Sequence, residues 1–232
     1  STQELESKKI LLSNLYQTLL LKDVAKTFSI NDLQTLETLT KLLAINSGGL
    51  LSYEAITRAI NSPFYTIKKY LDALEKSYLI YRVPCFQTNK AKELIKQPKT
   101  FFIDTGLRNA VLNNYPIQVD GQLFENYVFT ELLKHGFYPK HWRTKTKQEV
   151  DFVIHENGLI IPIEVKLSAN SIERSLASFI DTYQPKNAFI ACCETTKKQL
   201  TYNNCLITIS SIDVLFPKLT SLTKSTTQQE RI

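Results

Sequence analysis

Asp151, Glu164 and Lys166 are the residues whose types and spacing can do chemistry. They lie in EVDFVIHENGLIIPIEVK, residues 149–166. Val150, Phe152 and Ile154 alternate with Glu149, Asp151 and Val153, and Ile161, Ile163 and Val165 alternate with Pro162, Glu164 and Lys166, which is the two-residue period of paired strands. Asn157-Gly158 between them is the strongest short hairpin signal. With those two residues as the loop, Glu156 faces Leu159, and counting outward places Asp151 opposite Glu164 and Glu149 opposite Lys166, all on one face. Opposed carboxylates repel unless a positive group lies between them. A divalent cation removes the conflict, and Mg²⁺ suits a site of one or two carboxylates, retained water and substrate phosphate, with the Lys166 ammonium orienting or helping to deprotonate that water. The plainer reading is an exposed charged face in which Lys166 offsets Glu149.

The elements that would position these groups read as follows. DGQLFENYVFTELLKHG predicts a helix capped by Asp120, with Leu123, Phe124, Tyr127, Val128 and Leu132 as its apolar side and Gly136 at its end. Glu125 sits within that apolar run, where a carboxylate is costly unless paired or bound to a metal. After the hairpin come a helix in SANSIERSLASFIDTY, short strands in NAFIACC and CLITIS, and a last helix in SIDVLFPKL. The order is helix, three strands, helix, strand, strand.

That order, with Glu125 on the helix, Asp151 on the second strand and Glu164-Val165-Lys166 on the third, resembles the PD-(D/E)xK nuclease superfamily, although Val150 stands where that pattern usually has proline. The resemblance implies that Asp151 and Glu164 hold Mg²⁺ or Mn²⁺ with the Val165 carbonyl. It also implies that Lys166 positions the attacking water and that Glu125 supports the metal or its water.

The N-terminal half is helical. Leu11, Leu12, Leu15, Leu19 and Leu20 recur at helical spacing, and Asp32 caps DLQTLETLTKLLAINSGG with Leu33, Leu36, Leu39, Leu42 and Leu43 as its stripe. Ser52 opens a short helix, and Ser62 with Pro63 at the first helical position opens another. IYRVPCF, a charged loop around NKAKELIKQ, and KTFFID complete a two-stranded ribbon. Three helices and a ribbon make a winged helix-turn-helix, whose recognition helix would present Tyr65, Thr66, Lys68 and Lys69, with Lys90, Lys92 and Lys96 on or near the wing. Arg143, Lys145 and Lys147 would form a phosphate-binding rim before the hairpin, or a solvated loop.

The fold class expected is α/β (α+β), with residues 1–31 a helical segment, 32–104 the winged helix, 105–218 a restriction-endonuclease-like domain with a central mixed sheet, and 219–232 a polar tail with little structure. Over residues 10 to 195 the chain resembles the C-terminal half of a prokaryotic family of AAA+ type ATPases. The resemblance implies an ATPase core upstream, since no phosphate-binding G-x-x-x-x-G-K-[ST] occurs. The chain contains no methionine, so residue 1 is read as lying within a longer protein. A net charge of +6 permits phosphate contacts. Cys85, Cys192, Cys193 and Cys205 have no zinc spacing and read as buried thiols, and His135, His141 and His155 are scattered. No apolar run is long enough to span a bilayer, which gives a cytoplasmic expectation. The functional expectation is a Mg²⁺-dependent DNA endonuclease module, with a homo-oligomer allowed. The alternative is a non-cleaving DNA- or protein-binding module that regulates the attached ATPase.

Overall fold

The computed structural model describes residues 2–116, 118–156, 158–194 and 197–229. The fold is mixed α and β, and the chain forms two compact units. Residues 1–82 and 99–119 make the first, and residues 83–98 and 120–232 make the second.

The first unit begins with α1 (Thr2–Thr18), which runs into a π-helical stretch, Leu19–Ala25. There follow α2 (Leu33–Ile45), α3 (Tyr53–Ile60), α4 (Phe64–Lys76) and β1 (Ile80–Val83); then, beyond α5 (Lys90–Ile95) of the second unit, β2 (Lys99–Phe102) and α6 (Thr105–Leu112). The caps follow the local chemistry. Asp32 accepts the Thr35 N–H at 3.0 Å, and Ser52 accepts that of Ala55 at 3.2 Å. Leu36, Leu39 and Leu43 pack inside with Ile67, Leu71 and Leu74 of α4, but Leu33, in the first turn of α2, stays exposed. The start of α4 differs by one residue from expectation: Pro63 is the cap and Phe64 the first helical residue. β1 and β2 pair as a ribbon.

Arg82 at the end of β1 ties α3 and α4 together. It donates to Asp72 at 2.7 Å, to Glu75 at 2.8 Å and to the Tyr53 hydroxyl at 3.0 Å, with its side chain 22% exposed. Removing it leaves two half-buried carboxylates facing each other. Arg82→Met is therefore expected to cost about 1–3 kcal/mol in urea unfolding, between the worth of exposed and fully buried pairs. A loss below about 0.5 kcal/mol would make these solvent-screened contacts.

The charged loop between β1 and β2 keeps Lys90, Lys92 and Lys96 exposed but is not irregular throughout. It forms α5, capped by Asn89, and belongs to the second unit. The Phe86 N–H donates to the His141 carbonyl at 2.6 Å, and the Phe86 ring lies against Phe179, Tyr183 and His155 with centroids 6.0, 5.2 and 5.5 Å away. Glu93 of α5 pairs with Lys140 at 2.5 Å. Burying Phe86 anchors the segment while its lysines stay in solvent.

The second unit continues with α7 (Gly121–Lys134), β3 (Lys140–Arg143), β4 (Glu149–Glu156), β5 (Leu159–Lys166), α8 (Arg174–Tyr183), β6 (Asn187–Cys192), β7 (Lys197–Tyr202), β8 (Cys205–Ser211) and α9 (Ile212–Gln229). Its sheet runs β3-β4-β5-β6-β8-β7, antiparallel at both ends and parallel from β5 through β8. β7 was not anticipated, because KKQLTY is a polar edge strand without an apolar run. On one face α8 buries Leu176, Phe179 and Ile180 against Val150, Val153 and Ile190. On the other, Phe129 of α7 stacks on Phe152 at 6.2 Å. Asp120 caps α7 as expected, accepting from Leu123 at 2.7 Å, but Tyr127 is exposed while Asn126, Phe129 and Thr130 are buried. The polar tail departs from expectation, since α9 continues as helix to Gln229; residues 230–232 lie outside the described residues. Cys85, Cys192 and Cys205 are buried, whereas Cys193, just past the end of β6, is exposed. Among the described residues no helix is long and apolar enough to cross a membrane.

Candidate functional site

The β4–β5 hairpin carries the candidate site in the register read from the sequence. Glu156 faces Leu159, Ile154 faces Ile161 and Phe152 faces Ile163, while Asn157 of the turn lies outside the described residues. One step past the last of these pairs lie Asp151 and Glu164. On its other side β4 is irregular: Lys140 faces Val153 but Trp142 faces Val150, so Asp151 and Phe152 together face His141. Such a bulge bends a strand and re-aims its side chains. Here it leaves both Val150 and Val153 in the apolar cluster beneath α8, and the Asp151 carboxylate accepts the Val165 N–H of β5 at 2.8 Å.

Glu164 is 4% exposed, a carboxylate within a sheet strand. Its Oε1 meets the Lys166 ammonium at 3.1 Å, and its Oε2 is buried without a hydrogen-bond partner. Burial first, and then the charge of Asp151, push its carboxyl up to about 8, against the pull of Lys166. Lys166 is also 3.1 Å from Glu173, the residue preceding α8. Burial works against the ammonium, but Glu164 and Glu173 outweigh it and hold its pKa above the ordinary lysine value. The site is therefore a row of three carboxyl groups, Asp151, Glu164 and Glu173, with the one ammonium of Lys166 between the last two and one Glu164 oxygen buried and unsatisfied.

The expected pairing of Glu149 with Lys166 gives way to a different one. Glu149 forms an ion pair with Arg143, its direct partner across β3 and β4. The two residues bracket a tight turn, so cross-strand counting around residues 144–148 was the available signal. Glu173 lies in a loop with no periodicity, and nothing local marked it. Glu125 is half-buried on α7, the helix on the opposite side of the sheet from α8. Among the described residues no three His, Cys, Asp or Glu side chains gather as metal ligands, so Glu125 does not complete a trio with Asp151 and Glu164. A hard cation still fits the pair, since Mg²⁺ needs only one or two carboxylates when water and phosphate fill the rest. The orphaned Glu164 Oε2 is the oxygen it would satisfy.

The candidate nucleic-acid residues are divided between the two units. On α4, Tyr65, Lys68 and Lys69 are exposed and Thr66 is half-buried, with the Lys69 ammonium donating to the Ser29 carbonyl at 3.2 Å. Lys145 and Lys147 are exposed in the turn before β4, Lys147 with a φ of 65°, while Arg143 is engaged by Glu149.

Comparison with known proteins divides the chain in two. A family model described as Domain of unknown function (DUF8612) matches residues 1–117, and one described as Domain of unknown function (DUF4143) matches residues 120–212. An uncharacterized protein of Haemophilus influenzae is 29% identical over 163 residues, which cover 68% of this chain and 40% of that protein. Uncharacterized proteins of Mycobacterium bovis and Mycobacterium tuberculosis are each 27% identical over 148 residues, covering 59% of this chain and 33% of theirs. The chain thus spans between about a third and two fifths of the length of these curated relatives.

Proposed function

The chain belongs to the DUF8612 family, matched over residues 1–117, and from that premise we propose that it is a DNA-acting module: a divalent-cation-dependent phosphodiesterase unit joined to a helical DNA-binding unit. The observation that carries this reading is Glu164, a buried carboxylate with an unsatisfied oxygen, set between the charges of Asp151 and Lys166. Burying such a group is costly unless something cationic satisfies it. The order of α7, β3, β4, β5, α8 and β6, with the carboxylates on β4 and β5, supports the likeness to PD-(D/E)xK nucleases.

In this reading Asp151, Glu164 and the Val165 carbonyl hold Mg²⁺ or Mn²⁺, which when bound supplies Lewis acidity and an acidified water. Asp151 is held in place by the Val165 N–H. Lys166 presents its ammonium to the water and to the phosphate oxygens where negative charge builds. Lys145 and Lys147 supply a rim for the backbone. The likeness to the C-terminal half of AAA+ type ATPases suggests that an attached ATPase positions or drives the module.

The test is cleavage of duplex, flapped and four-way junction DNA with Mg²⁺ or Mn²⁺, wild type beside Asp151→Ala. Cation-dependent cutting that vanishes in the variant is expected. DNA binding without cutting by the wild type would overturn catalysis and favour the non-cleaving module. For the helical unit, Lys68→Glu with Lys69→Glu is expected to weaken duplex binding and reduce the slope of log affinity against log salt by roughly two, near one for each lost phosphate contact. An unchanged slope would remove α4 from the DNA interface.

A further inference from the structure

Glu173 precedes the first residue of α8, a position where Ser, Thr, Asp or Asn usually caps the helix. It is a glutamate, and its side chain makes no capping bond. Its Oε2 reaches back instead to Lys166 at 3.1 Å, the same distance that separates Lys166 from Glu164. A residue that breaks a local preference without local compensation points to another role. α8 is a firm base for it, because Leu176, Phe179 and Ile180 are fully buried and the helix packs on β4 and β5.

We propose that Glu173 is a positioning residue that takes over the Lys166 ammonium when a divalent cation occupies Asp151 and Glu164. This rests on the reading of that pair as the cation site. A cation seated on Glu164 competes with Lys166 for the same carboxylate and repels the ammonium. Without a second partner the ammonium has two courses. It stays on Glu164 and opposes the cation, or it leaves for water and is lost to the reaction. Glu173 provides the third course, since releasing Glu164 leaves Lys166 anchored beside the site in a contact it already makes.

Competition for Glu164 is measured by titrating Mn²⁺ by calorimetry into wild type, Glu173→Gln, Lys166→Met and the double variant, with thermal melts of each. Glu173→Gln is expected to weaken Mn²⁺ binding about threefold to tenfold, since Lys166 then has only Glu164 to hold. Lys166→Met removes the competitor, so it binds Mn²⁺ at least as tightly as wild type, and Glu173→Gln added to it changes nothing. Dependence of one effect on the other residue is what distinguishes shared action from independent damage. Glu173→Asp is expected to recover part of the lost affinity. Equal Mn²⁺ binding in wild type and Glu173→Gln overturns the proposal while leaving the cation pair standing. The same loss with and without Lys166 also overturns it, placing Glu173 on the cation or on the fold. A wild type that binds no Mn²⁺ overturns the reading of Asp151 and Glu164 and the role of Glu173 with it.

Discussion

Glu164→Gln is expected to abolish Mg²⁺ binding and cation-dependent cleavage, yet to melt higher than wild type in alkaline buffer. The folded protein holds the Glu164 proton until about pH 8, because the carboxyl is buried and faces Asp151. The unfolded chain releases it near pH 4.5, the ordinary glutamate range. Between those values the folded state binds more protons than the unfolded state, so this group's contribution to stability is complete below about pH 4.5 and is lost as pH rises to about 8. At about 1.4 kcal/mol for each pK unit, the loss is roughly 3–5 kcal/mol. Glutamine keeps nearly the same volume and has no proton to lose. Wild type and variant should therefore melt together near pH 5 and separate by pH 9. Mg²⁺ should raise the wild-type melt at pH 8 with release of a proton, because it binds the charged carboxylate, and should leave the variant unmoved. Parallel melting curves across this range, with equal Mg²⁺ responses, would return Glu164 to an ordinary strand residue.

Phe86→Ala is expected to cost the second unit several kcal/mol and to loosen the segment of residues 83–98. Phe86 is 1% exposed, and its ring edges meet Tyr183 and His155. Truncating a buried Phe to Ala costs about 3–5 kcal/mol through lost transfer energy and the cavity left behind. The local effect should exceed the global one. With its anchor gone, the segment of residues 83–98 keeps its hold through the Glu93–Lys140 pair and the bonds around His141. Limited proteolysis should then cut within residues 87–98 before any other site, with urea unfolding giving the global cost. A loss below about 1 kcal/mol, with the segment still protected, would mean that the aromatic nest closes up without Phe86.

What could be read from the sequence is what local chemistry decides. The hairpin register followed from a two-residue period and one turn dipeptide, and it held through Phe152 and Ile163. The caps at Asp32, Ser52 and Asp120 followed from side chains bonding to N–H groups three residues on. The bulge in β4 has no such signature, since it is a relation between two strands. β7 was hidden because an edge strand needs no apolar face to pair with β8. Glu173 and the docking of Phe86 depend on groups brought together by the whole fold, which no local pattern announces.

The chain enters the second unit after Arg82, returns to the first at Lys99 and crosses again after Val119. A recombination or truncation at that last crossing would carry off the whole six-stranded sheet and still leave behind the piece that lies against Tyr183 and Phe179. Such a fragment would present bare aromatic rings and an uncovered stretch of β3 to its neighbours, a surface prone to self-association. Each unit is compact, but neither is a contiguous length of gene. Anything that inherits the sheet in working order must inherit residues 83–98 with it.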